Sequence, residues 1–200
     1  MSDLPPFGII ILAAGNSSRL GRPKQFLQYQ EKSLLLRVTE SALSSGCAAL
    51  VVVTGAEKES IEKELQHLPA IYTHNTDWAD GMASSIISGL NQLLTSAPHL
   101  THVIIAVSDQ PFVSAAIFEG LLKTKSEAGT GIVACKYDDI VGAPVLFSDK
   151  YFQNLRALRG TEGAKKLLKI FKKDLSTIDF PLGKFDIDTD EDFERLSTIG

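Results

Sequence analysis

Cysteine is scarce in this 200-residue chain: Cys47 and Cys135 are its two thiols, and no C-x-x-C occurs. That excludes a disulfide scaffold and a cysteine-rich metal site. Both lie in apolar settings, where a free cysteine behaves as a small hydrophobe. Charge of one sign is not in excess either. Lys plus Arg number 20 against 24 Asp plus Glu, a net −4, so nothing electrostatic points to nucleic acid. No apolar run approaches membrane-spanning length, and residues 1–6 lack a basic-then-apolar leader, so the chain reads as cytoplasmic with no membrane partner. The histidines His67, His74, His99 and His102 lack metal-ligand spacing. No serine or cysteine nucleophile with a plausible base emerges, which argues against a covalent enzyme intermediate. What is present is a 44% hydrophobic content, enough for one domain with a sizeable core.

Strand and helix patterns alternate along the chain. The continuous apolar run 7–12 reads as a buried parallel strand. Leu34, Leu35, Val38, Ala42 and Leu43 recur at helical spacing over 33–45, closed by Gly46. Strands follow at 49–53, 70–74 and 103–107, helices at 57–67 and 82–94, and a helix capped by Ser114 runs to about 127. Beyond Gly131 come short strands at 131–135 and 144–147, helices at 149–158 and 161–173, strands at 175–178 and 184–187, and a last helix at 191–197. The lysine-rich stretch 165–173 reads as a solvated helix face, with Leu167, Leu168 and Phe171 turned inward. This alternation predicts an α/β fold, a mostly parallel sheet with helices on both faces in three α/β/α layers. One domain over 1–200 is expected, its two halves dividing at about 112.

The first strand runs into Leu12-Ala13-Ala14-Gly15-Asn16-Ser17-Ser18-Arg19-Leu20-Gly21-Arg22-Pro23-Lys24. Ligands of open α/β sheets bind beyond the carboxyl ends of strands. Small residues there let backbone N–H groups approach an anion, and Arg19 and Lys24 add positive charge for a polyphosphate. The P-loop pattern fails because Arg22 follows Gly21 where a lysine and a hydroxyl residue are needed. The dinucleotide pattern fails because Asn16, Ser17 and Ser18 follow Gly15. The pattern L-A-A-G-x-x-x-R-x-G-x-P-K instead resembles the signature of nucleotidyltransferases with a GT-A-like Rossmann fold. Within them it is most similar to the molybdenum cofactor cytidylyltransferase branch of the MobA-like NTP transferase family. The resemblance implies that Leu12, Ala13, Ala14 and Gly15 line the nucleotide and that Arg19 and Lys24 neutralise its phosphates during transfer.

Three further constellations fit that resemblance. The apolar strand 103–107 delivers Asp109 to the sheet edge, and Ser108-Asp109-Gln110-Pro111 resembles the family's metal-binding D-x-P element. Mg2+, with Mn2+ as an alternative, is held by one or two carboxylates plus substrate phosphates. Residues 185–192 resemble the family's D-I-D-T-P-E-D stretch. Asp188 or Asp186 would supply the second carboxylate, and spacing does not decide between them. Residues 75–86 resemble N-x-x-W-x-x-G-M-x-x-S. Here Gly81 and Ser85 match positions near the base, Ser84 reads as a helix-capping hydroxyl, and Trp78 reads as a packing residue. On the acceptor side the resemblance implicates Pro111, Gly142 and Pro144, although Pro144 equally suits an ordinary strand edge. In a stretch usually written L-x-G-D-x-G-A-R, Thr161 and Lys165 replace the acidic residue and the arginine, and lysine does not reproduce a bidentate fork.

The expected activity is transfer of CMP from CTP to the terminal phosphate of the molybdopterin molybdenum cofactor, with release of pyrophosphate. Ala14 matters to the nucleotide, because the guanylyl branch usually carries L-A-G-G. Two alternatives stay open. One is a cytidylyl- or guanylyltransferase with another phosphorylated acceptor. The other is a weakly catalytic insertion chaperone serving a xanthine-oxidase-type molybdoenzyme, which would also be the partner receiving the product.

Overall fold

The computed structural model describes residues 5–15 and 23–185. Arg19, Asp186, Asp188 and the helix expected at 191–197 lie outside the described residues. The main sheet has seven strands: β1 (Phe7–Ala13), β4 (Ala49–Thr54), β5 (Ile71–His74), β6 (His102–Val107), β7 (Ile132–Tyr137), β8 (Ile140–Ser148) and β9 (Leu175–Asp179). Their order is β5-β4-β1-β6-β8-β7-β9. A separate two-stranded ribbon pairs β2 (Gln28–Tyr29) with β3 (Lys32–Ser33). Its turn residues Gln30 and Glu31 both have positive φ, the geometry of the tightest hairpins.

β1 is central, parallel to β4 on one side and β6 on the other. Because helices cover both faces, its Ile9, Ile10 and Ile11 are fully buried, which explains the unbroken apolar run. Helices α1 (Leu34–Ser44), α2 (Lys58–Leu65) and α4 (Ala115–Ala128) cover one face, where Leu35, Val38, Ile61 and Phe118 join Ile9 and Ile11. Helices α3 (Met82–Ser96), α5 (Phe152–Arg156) and α6 (Lys165–Ile170) cover the other, where Ile86, Leu90 and Leu155 join Ile10. The three-layer, mostly parallel architecture is therefore present. α3 lies so close that a Cβ on its Gly89 would come within 2.6 Å of Ile10 Cγ2 and 2.8 Å of Val53 Cγ2.

Several local expectations change. β8 runs antiparallel between β6 and β7, so Pro144 lies within a central strand. The ladder steps from Ala134 opposite Val145 to Cys135 opposite Gly142, which leaves Ala143 and Pro144 unmatched on β7. A bulge is where a strand tolerates a residue without an N–H, and the Ala143–Pro144 bond is cis. Lys184 belongs to a 3-10 turn, Pro181–Lys184, and not to a strand. The helix expected at 161–173 shortens to α6, with Leu167 and Leu168 buried and Phe171 half-buried against Tyr151. Ser114 occupies the N-cap position of α4 without a side-chain cap bond, whereas Ser33 does cap α1 through Leu36 N–H at 3.0 Å. Cys47 and Cys135 are free, and burial pushes their thiols up to about 11 and about 12, in keeping with a packing role. No described helix is long and apolar enough to cross a membrane.

Candidate active site

Strand direction gathers the predicted residues on one edge. β1, β4, β5 and β6 are parallel, so the segments that follow them all emerge at the carboxyl edge: Ala14–Gly15, Gly55, Asn75 and Ser108–Asp109. β8 returns antiparallel with Val145 opposite Ile105, so Gly142, Ala143 and Pro144 reach the same edge. β7 and β9 are parallel to each other, and Gly183 follows β9 there.

The first cluster joins the loop after β1 to Asp109. Ser108 N–H donates to Leu12 O at 3.2 Å, tying the end of β6 to the end of β1. Lys24 Nζ lies 3.7 Å from Asp109 Oδ2, with side chains 16% and 27% exposed. This half-buried ion pair spans 85 positions, a figure read from the residue numbers 24 and 109. Leu12 is half-buried, Ala13 and Ala14 are buried, and Gly15 is exposed. Among the described residues, a Cβ on Gly15 would meet nothing within 4 Å. Gly55, unassigned in the sequence reading, backs the loop so tightly that a Cβ there would strike Ala14 O and lie 2.9 Å from Ala14 Cα. A glycine directly after a buried strand was the available signal.

The second cluster stands on the first turn of α3. Gly81 has φ +115°, and a Cβ there would sit 2.5 Å from Gly160 O, while Ala83 N–H donates to that same carbonyl at 3.1 Å. Its close approach is therefore to the Gly160–Thr161 backbone. Ser84 is not a cap: its hydroxyl donates to Asp77 O or Gly81 O, each at 2.8 Å, and accepts from Asn75 Nδ2 at 2.8 Å. Asn75 Nδ2 also reaches the buried Ser85 Oγ at 3.0 Å, and Asn75 N–H holds Thr54 O at 2.9 Å. Asn75 thus ties α3 to the end of β4, a role that no spacing announced. Trp78 is partly buried against the core, as a packing residue should be. A cavity of about 360 Å3 opens beside this cluster, lined in part by His74, Asn75, Asp77, Ser84 and Ser88.

The third cluster is the acceptor side. Pro111 and Pro144 are buried, and Pro111 O accepts from Arg37 Nε at 3.5 Å. Gly142 is buried under Tyr137, whose hydroxyl a Cβ would strike; the same Cβ would lie 3.4 Å from Lys165 Cε. Lys165 is thereby placed next to Gly142. Phe112 stacks edge-on against Tyr29 of the ribbon and against Phe185, each at 5.8 Å. The residue before Asp186 is thus brought to the Asp109 loop.

Asp109 offers a hard carboxylate oxygen of the kind Mg2+ and Mn2+ accept, and one or two such ligands plus phosphates suffice. The donor chemistry therefore fits such an ion. Among the described residues no group of three His, Cys, Asp or Glu side chains could hold a metal alone.

A carboxylate and an ammonium beside a small-residue loop, at the carboxyl edge of a three-layer α/β sheet, suit a phosphate-bearing ligand with a cation, and the family match assigns the chain to the nucleotidyltransferase class. The chain belongs to the family of the MobA-like NTP transferase domain, whose model matches residues 9–177. It is 28% identical over 140 residues to the molybdenum cofactor cytidylyltransferase of Escherichia coli (strain K12), covering 70% of this chain and 68% of that protein. It is 35% identical over 123 residues to the nicotine blue oxidoreductase of Paenarthrobacter nicotinovorans, covering 60% of this chain and spanning 58% of that relative's length. Among solved structures, the manganese complex of Rv0371c from Mycobacterium tuberculosis H37Rv superimposes with a TM-score of 0.78 at 25% identity, covering 96% of this chain and 97% of that one.

Proposed function

We propose that this nucleotidyltransferase uses CTP and a divalent cation, Mg2+ or Mn2+, to transfer CMP to the terminal phosphate of the molybdopterin molybdenum cofactor. An acceptor phosphate oxygen forms a bond to the α-phosphorus, the bond from that phosphorus to the β-phosphate oxygen breaks, and pyrophosphate leaves with the electron pair. Such a transfer asks the protein mainly for positioning and charge neutralisation. The observation that carries the reading is the Lys24–Asp109 pair at 3.7 Å, whose Asp109 follows Ser108, hydrogen-bonded to Leu12 O at the end of β1.

Each group has an assigned part. Gly15, against which no described atom would crowd a Cβ, lets the backbone approach the phosphates, and Lys24 supplies positive charge to them. Arg19 joins Lys24 in that role. Asp109, with Asp188 or Asp186, holds the cation, which when bound polarises phosphate oxygens. Gly81 and Ser85 face the base. Pro111, Gly142 and Pro144 shape the acceptor side, and the nucleotide and acceptor halves divide near residue 112. The cytidylyl choice is supported by Ala14 and by the name of the Escherichia coli relative, and the cation by the manganese found with Rv0371c. The cytoplasm is the expected compartment.

The deciding experiment measures pyrophosphate release with CTP, GTP and ATP, purified molybdenum cofactor, and Mg2+ or Mn2+. CTP-dependent release supports the reading. Release with another phosphorylated acceptor alone replaces the acceptor, and no release with any pair refutes the transfer. The 35%-identical relative carries an oxidoreductase's name, and a redox reading would replace transfer if no nucleotide and acceptor pair released pyrophosphate.

A further inference from the structure

Between Asp109 and Pro111 stands a side chain that the transfer chemistry leaves unused. Gln110 is 3% exposed. Its amide nitrogen spends both hydrogens, donating to Ala143 O at 3.2 Å and to Gly183 O at 3.3 Å. Its amide oxygen is buried without a partner. Turned the other way, that oxygen would face two carbonyl oxygens, so the network dictates this orientation. An apolar side chain of equal length would fill the space without burying an unpaired acceptor. The two donated bonds are therefore what the glutamine contributes.

Those bonds join three distant parts of the edge. Ala143 is the residue that the bulge leaves unmatched on β7, next to cis-Pro144 on the acceptor side. Gly183 belongs to the turn that leads into Phe185 and then the acidic segment beginning at Asp186. Phe112 on Phe185 and Arg37 on Pro111 O hold the same loop from other directions. Among the described residues, Gln110 is the one whose side chain donates to both carbonyls.

We propose that Gln110 is a positioning residue: its two N–H groups set the Asp109 carboxylate against the acceptor-side bulge and the chain entering the acidic segment, so affinity for the divalent cation depends on them. This rests on the nucleotidyltransferase reading for its catalytic consequence, while its binding consequence is measured without turnover. Groups that orient a metal ligand typically influence metal affinity or activity by about 10–100-fold.

The test uses the full chain with Gln110→Met, which keeps length and loses both donors, Gln110→Glu and Gln110→Asn. Mn2+ binding is titrated by electron paramagnetic resonance with a non-hydrolysable CTP analogue bound, because phosphates complete the ligand set, alongside thermal melts and pyrophosphate release. The expected result is a Mn2+ Kd raised about 10–100-fold in folded Gln110→Met, a matching fall in kcat, and a KM for the nucleotide changed less than about 3-fold. Gln110→Asn, which keeps the amide donors on a side chain one methylene shorter, is expected to retain part of the affinity that Gln110→Met loses. An unchanged Mn2+ Kd in folded Gln110→Met overturns the proposal. So does loss of the fold in all three variants, which would make Gln110 a packing residue. Wild-type protein that binds no Mn2+ overturns it together with the metal part of the function. Wild-type protein that binds Mn2+ but releases no pyrophosphate overturns the function and leaves the Kd comparison to decide Gln110.

Discussion

Replacing Asp109 with asparagine separates a catalytic carboxylate from a structural one. The pair it makes with Lys24 is 3.7 Å long, which at an effective dielectric of about 20 amounts to roughly 4.5 kcal/mol of gross attraction. Both side chains touch solvent, at 16% and 27% exposure, and screening with desolvation reduces such pairs to about 1 kcal/mol or less. For a domain of this size that is a fall of about 2–4 °C in Tm. Activity should respond far more steeply. Removing one preorganised charge-stabilising group costs about 100–1,000-fold in rate. Paired measurements of thermal unfolding and of pyrophosphate release against metal concentration check both halves. A folded Asp109→Asn enzyme within about 10-fold of wild type in rate would refute the metal assignment, because even one lost group of this kind exceeds that. A fall in Tm well beyond about 4 °C would show that the ion pair is structural.

Two glycines near the nucleotide loop should respond in opposite ways. Gly81→Ala, at φ +115° and against Gly160 O, is expected to cost about 1–3 kcal/mol in urea unfolding. Gly15→Ala meets no described atom within 4 Å, so its stability should stay within about 0.5 kcal/mol while KM for the nucleotide rises. Asp174 supplies a pH test away from the site. Burial raises its pKa, but hydrogen bonds from Lys150, Tyr151 and Gly131 N–H outweigh that and hold the carboxyl at about 2. Because the folded value lies below the ordinary one, its stabilising contribution is complete above about 3.8 and disappears as pH falls through about 2. Melting temperatures from pH 5 to pH 2 should therefore converge between wild type and Asp174→Asn at the acid end. The two thiols, pushed up to about 11 and about 12, should label slowly with a disulfide reagent at pH 8 until the chain is denatured.

Legibility followed the physics of each segment. β1, β4 and β6 were visible because strands buried on both faces need unbroken apolar runs. The ribbon of Gln28–Tyr29 and Lys32–Ser33 was invisible, since two-residue strands carry no periodicity. Pro144 looked like an edge residue because the bulge that accommodates it arises only when β8 pairs with β7. Ser84 looked like a cap because a hydroxyl near a helix start usually accepts from N–H groups, whereas here Asn75 reaches it from the preceding loop. Asp109 and Lys24 were each legible from their own motifs. Their 3.7 Å approach was not.

The sequence by itself determined the layered α/β class, the glycine-containing loop after the first strand, and the carboxylate at the end of the strand from His102 to Val107. Burial and turn chemistry act over a few neighbouring residues, so they leave a readable trace in the chain. Tertiary structure alone decided the antiparallel return of β8, the seating of Gly81 on Gly160, and the role of Gln110. Each of these depends on groups more than 30 residues apart meeting at one sheet edge, where strand direction rather than local pattern selects the partner.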